Sequence, residues 1–157
     1  MNFFTIGYGG RTPDEFVGLL ERHGVRTVAD VRIRPDRASM GAYVKAKTPD
    51  KGIEKLLADR GITYHSIVEL GNLFIDLEDW RPNYRQLIQK AGDLLVTRLL
   101  DLSPPICLLC AEKRVADCYR LVIADFLAPR ATAGRLSTSS STNPSRSADR
   151  SAHLAAA

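Results

Sequence analysis

The chain lacks most of what would place it in a membrane, outside a cell or around a metal. No apolar run approaches the ~20 residues of a transmembrane helix. The start, MNFFTIGYGG, has no basic segment leading into a long apolar stretch, so no secretory signal is expected and the cytosol is the expected location. There are only three cysteines, Cys107, Cys110 and Cys118. An odd, clustered set without a signal argues against a structural disulfide framework. Zinc would need four ligands, and no second Cys or His pair stands at a usable spacing for Cys107-x-x-Cys110, so no metal is expected. Those two cysteines fall in one strand-like run and point to opposite faces, which makes Cys107 a core residue. His23, His65 and His153 are isolated, and each reads as structural or exposed. Thr12-Pro13 interrupts any Gly-x-Gly-x-x-Gly pattern, and no cofactor is expected.

The net charge of +4 looks like a nucleic-acid signal until its distribution is read. Arg130, Arg135, Arg146 and Arg150 against Asp149 place three of those charges in residues 129–157. The body is close to neutral, with one local exception. Between positions 32 and 47, Arg32, Arg34, Arg37, Lys45 and Lys47 face only Asp36. The segment from Ala131 onward has no Val, Ile, Phe, Tyr, Trp or Met and is rich in serine, so it cannot build a core and reads as a disordered tail.

What remains, residues 1–128, suits one domain. Short strand-like runs alternate with helix-like stretches. Strands are expected near 2–6, 25–31, 62–68 and 106–110. Helices are expected from Thr12-Pro13-Asp14-Glu15, which spells a capping box with proline at the first helical position, and from Thr48-Pro49-Asp50. A long helix is expected over 81–102, and another from about Val115. Repeated β-α units predict a single α/β domain: a mostly parallel sheet of about four strands with helices on both faces.

In open parallel sheets ligands sit beyond the carboxyl ends of the strands. Four polar segments fall there: Gly7 to Arg11, Asp30 to Arg37, Glu69 to Asn72, and Cys110 to Arg120. In the first, Gly7, Tyr8 and Gly9 stand between a strand and a helix start, as a tight turn or as a cradle whose backbone approaches an anion. In the second, Asp30 and Arg32 share a face, as an ion pair or as one edge of a binding site. Arg32, with Arg34 and Arg37, has the fork geometry that takes phosphate oxygens. In the fourth, Cys110 at a strand end facing a helix start is a candidate nucleophile. Glu112 is a candidate acid, base or orienter, Arg120 an oxyanion or phosphate holder, and Cys118 a resolving thiol. The plain alternative is that all three cysteines only pack.

Several fragments together carry a resemblance. They are Thr5-Ile6-Gly7-Tyr8, Asp30-Val31-Arg32 with Pro35 and Ser39, Gly61-Ile62-Thr63-Tyr64, Glu69-Leu70-Gly71, and Cys110-Ala111-Glu112 followed by Cys118-Tyr119-Arg120. In this order, over about residues 3 to 128, the chain resembles the "domain of unknown function 488" family. The resemblance implies a compact α/β domain and adds Ser39 and Gly71 to the candidate ligand-binding residues. It implies no reaction. The family usually has Cys-His-Arg where this chain has Cys118-Tyr119-Arg120, and its members tend to continue into a further strand where the tail begins here. The Asp-Val-Arg strand end is also similar to rhodanese-like and cysteine-phosphatase domains. Those phosphatases place arginine six positions after cysteine, where this chain has Ala116.

Three functions follow as expectations. The first is an enzyme with a Cys/Arg/Asp site acting on a phosphorylated or otherwise anionic, nucleotide-like ligand. The second is a nucleic-acid-binding module using the basic 32–47 loop, with Tyr43 available for stacking. The third is a non-catalytic interaction domain.

Overall fold

The computed structural model describes residues 2–136, the last six as helix backbone alone. Its sheet has four strands, β1 (Phe3–Gly7), β2 (Thr27–Asp30), β3 (Thr63–Ser66) and β4 (Ile106–Cys110). They lie in the order β1-β4-β2-β3, and every neighbouring pair is parallel. The helices are α1 (Pro13–Arg22), α2 (Gly52–Ala58), α3 (Arg81–Leu95), α4 (Thr97–Leu100) and α5 (Arg120–Leu136). The last runs past the boundary expected at 128, and the expected tail beyond 136 lies outside the described residues. Among the described residues no helix is long and apolar enough to cross a membrane.

β4 occupies the centre because all five of its side chains are apolar or sulfur-bearing and all are buried. Strand alternation divides them. Cys107 and Leu109 join Ile6, Phe16, Leu20, Val28, Ile53 and Leu57 under α1 and α2. Ile106, Leu108 and Cys110 join Ala29, Val31, Tyr84, Ile88, Ile123 and Leu127 under α3 to α5. Helices therefore cover both faces, as the β-α pattern predicts. Cys107 is buried in the first cluster, and burial pushes its thiol far up, so it is a neutral core residue.

α1 forms as its sequence spells it. Thr12 Oγ1 accepts from the Glu15 amide, and the Glu15 carboxylate accepts from the Thr12 amide. The cap contributes ~1 kcal/mol. Burying Phe16, Val17 and Leu20 contributes ~1.5–3 kcal/mol each. Packing holds the helix, and the cap decides where it begins.

Three helices depart from the expected starts or ends. α5 begins at Arg120 and not near Val115, because residues 115–117 form a separate 3-10 turn and Cys118 after it is extended. α2 starts at Gly52, not at Thr48-Pro49, because Lys45 bridges to Gly52 and Gly52 sits at φ +63° against the Val44 carbonyl. The long helix expected over 81–102 breaks at Val96 into α3 and α4. Beside the break the Thr97 hydroxyl donates to the Asp93 carbonyl, a bond that bends helices.

Candidate functional site

The carboxyl ends of the strands carry two chemically distinct groups, one on each side of the sheet. Asp30 ends β2 in register with Leu109 of β4, so its side chain lies on the α1/α2 face. It is completely buried. Arg32 clasps it with two nitrogens, Nε to Oδ1 at 2.8 Å and Nη2 to Oδ2 at 2.6 Å. The Arg32 amide adds a 3.1 Å bond to Oδ1, and the Tyr64 hydroxyl from β3 donates to Oδ2 at 2.6 Å. The Arg32 guanidinium also lies 5.2 Å from the centre of the Tyr8 ring, which stacks on Tyr43. Burial works against the arginine's charge. The bonded Asp30 carboxylate more than offsets this and raises its pKa. Asp30 is thus saturated, and its role is to hold Arg32 charged and still.

Cys110 points to the other face, the α3 to α5 side. Its thiol donates to Glu112 Oε2 at 2.7 Å. Burial would raise the Glu112 carboxyl, but hydrogen bonds from Cys110, from the Glu112 backbone and from Cys118, with the Arg120 charge, together outweigh it and keep the group below its usual range. Cys118 is beside them at the entrance to α5 and accepts a 3.5 Å bond from the Arg120 amide. Its hydrogen bond with Cys110, followed by burial, pushes the Cys118 thiol far up. Tyr119 and Tyr84 complete the wall, their rings 5.3 Å apart. Their hydroxyls donate to the Val31 and Leu70 carbonyls, each at 2.6 Å. Burial raises both phenols, so Tyr119 stays a neutral donor. Tyr119→Phe keeps the ring but orphans the buried Val31 carbonyl. A loss of ~1–3 kcal/mol is expected in urea unfolding. A change below a few tenths would show that the bond carries nothing.

Arg120 links the first and last segments of the rim. It is 1% exposed, with Nη1 on the Glu112 carbonyl at 2.6 Å and Nη2 on the Lys113 carbonyl at 3.1 Å. The loop it clamps lies directly on the turn after β1. A Cβ on Gly7 would fall 1.7 Å from the Glu112 carbonyl oxygen, and one on Gly9 would fall 2.7 Å from that of Ala111. The space over Gly7, Tyr8 and Gly9 is therefore taken by the chain's own loop. Gly71 has a similar explanation, since a Cβ there would meet Ile33 at 2.8 Å.

The basic loop is less available than its composition suggests. Arg34 pairs with Asp36 at 3.0 Å and Lys45 with Glu54 at 3.5 Å. Tyr43 is fully buried with its hydroxyl on the Arg11 carbonyl, so it is not a stacking platform. Ser39 and Arg37 are exposed.

The family model for Domain of unknown function DUF488 matches residues 12–127. The chain belongs to the DUF488 family. No curated protein and no solved structure matches it. In this DUF488 domain the strand-end segments named from sequence do meet at the rim, but Asp30 and Cys110 stand on opposite faces. Sequence reasoning missed Tyr64 as the third partner of the buried ion pair and Asn72 as a buried polar group. A sealed carboxylate needs more than one donor, and that was the signal for Tyr64. Asn72 gave only its place in the rim segment.

Proposed function

We propose that the domain is an enzyme acting on a phosphorylated or otherwise anionic, nucleotide-like small molecule at the carboxyl rim of its sheet. One observation carries the reading. Among the described residues, the buried side-chain polar atoms without a partner are Arg32 Nη1, Asn72 Nδ2 and Arg120 Nε. All three are N–H donors. Asn72 cannot be turned to avoid this, because its Oδ1 accepts from the Phe74 amide at 2.9 Å. They follow β2, β3 and β4, three adjacent strands. A buried donor left unmet costs ~1–3 kcal/mol, so an oxygen-rich ligand gains where the free protein is strained. Donors alone, two of them on arginine, favour an anion. The reacting group in this reading is Cys110, with Glu112 taking its proton and the thiolate serving as nucleophile. A cytosolic setting, which keeps thiols reduced, suits it.

The test is calorimetric titration with inorganic phosphate and with nucleoside mono-, di- and triphosphates. At least one should bind. Arg32→Lys keeps a charge on Asp30 but removes the spare nitrogen, and Asn72→Asp turns a donor into an acceptor. Each should weaken binding about tenfold or more, the equivalent of one charged hydrogen bond. Equal binding by both variants, or none by the unaltered chain, would overturn the reading. Salt-sensitive binding to single-stranded nucleic acid that survives both substitutions would instead favour the basic loop.

A further inference from the structure

Cys110, Glu112 and Cys118 bring two sulfurs and a carboxylate oxygen within 4.8 Å of one another. We infer that this triad binds a thiophilic divalent cation of the zinc class through Cys110 Sγ, Cys118 Sγ and one Glu112 oxygen. The spacing fits. Zinc–sulfur bonds of ~2.3 Å in a tetrahedron set sulfurs ~3.8 Å apart and a sulfur ~3.5 Å from a carboxylate oxygen, so the sulfurs close on an ion by ~1 Å or less while the Cys110 and Glu112 pair, 2.7 Å apart without one, opens by about as much. The frame fits as well. Cys110 is fixed at the end of the central strand, Glu112 on the loop that Arg120 clamps, and Cys118 at the entrance to α5. The Arg120 amide already donates to Cys118 Sγ, the kind of outer bond that steadies a metal-bound sulfur. The amino end of the seventeen-residue α5 favours negative charge at that point.

Loading releases the two thiol protons to solvent, and the thiolates and carboxylate then coordinate the ion. Three protein donors leave a fourth position open, as in catalytic rather than structural zinc sites. The inference does not need the anion-binding donors, but it replaces the nucleophilic role given to Cys110 above. With an ion bound, Cys110 is a ligand, and polarising the substrate passes to the metal. Counting Cys and His pairs in the sequence overlooked the set because its third member is a glutamate two positions from a cysteine.

The reduced, chelator-treated full chain is titrated with Co2+ and then with Zn2+. One equivalent of Co2+ should give near-ultraviolet sulfur-to-cobalt charge transfer and the intense visible bands of tetrahedral coordination, and Zn2+ should bleach both. Cys118→Ser should lose about half the charge transfer and weaken binding about 100-fold or more, at least the upper range for outer partners of a ligand. Cys107→Ser and Arg32→Lys should leave the spectrum unchanged, which separates failure here from failure of the anion site. No charge transfer at one equivalent, or a full spectrum in Cys118→Ser, overturns the inference. If Cys118→Ser does not fold, the unaltered chain decides. Zn2+ must slow alkylation of both Cys110 and Cys118, and unchanged rates reject the site.

Discussion

Asp30→Ala is expected to remove about 3–5 kcal/mol of folding stability, a large share of the ~5–15 kcal/mol a domain has. The carboxylate is sealed, and the Arg32 side chain on it is only 5% exposed. Its loss strands a guanidinium with no counter-charge and leaves the Tyr64 hydroxyl without its acceptor. The size of the effect is the penalty of the orphaned charge and not the worth of the pair, so a second variant separates the two. Asp30→Leu with Arg32→Met replaces both partners by apolar groups and should recover most of the lost stability. Urea unfolding checks both. A loss under ~1 kcal/mol in Asp30→Ala would show that water reaches the pair. A double variant no better than Asp30→Ala would show that the site needs the ions to pack.

Gly7→Ala is expected to cost about 2–5 kcal/mol for a different reason. Its Cβ would fall inside the Glu112 carbonyl and 2.8 Å from Arg120 Nη1. Neither can yield cheaply, because one is backbone and the other is a buried arginine bonded to two carbonyls. The loop must lift, and overpacking then adds to lost charged hydrogen bonds. Lifting should also expose Cys110, so alkylation of that thiol should quicken by more than tenfold. Gly18→Ala is the matched control. Nothing lies within 4 Å of its Cβ, and inside α1 alanine should gain a few tenths to ~1 kcal/mol. A Gly7→Ala protein as stable as Gly18→Ala would mean that the loop does not sit on that turn.

How much of this could be read from sequence depends on the range of the interactions. The α1 start was fully legible because Thr12, Pro13 and Glu15 settle it among themselves. The opposite placement of Cys107 and Cys110 was legible because alternation along one strand is local. Thr48-Pro49-Asp50 gave an equally good local signal and lost to a bridge between Lys45 and Gly52. The rim segments were found, but their division between two faces was not. It depends on Asp30 pairing with Leu109 rather than with Cys110, a register between distant strands. The cradle reading of Gly7 and Gly9 assumed an external occupant, and the chain's own 111–113 loop is the occupant.

The Arg120 clamp has a kinetic consequence. Residues 111–113 hold Glu112 against the Cys110 thiol and are latched by two bonds from one guanidinium. Cys110 itself is buried, so reagents reach its sulfur only through local opening, and labelling follows the opening equilibrium multiplied by the sulfur's own reactivity. A small electrophile and a bulky one should then be slowed by the same factor in the unaltered chain. Sluggish labelling of Cys110 would measure that opening before it measured the sulfur.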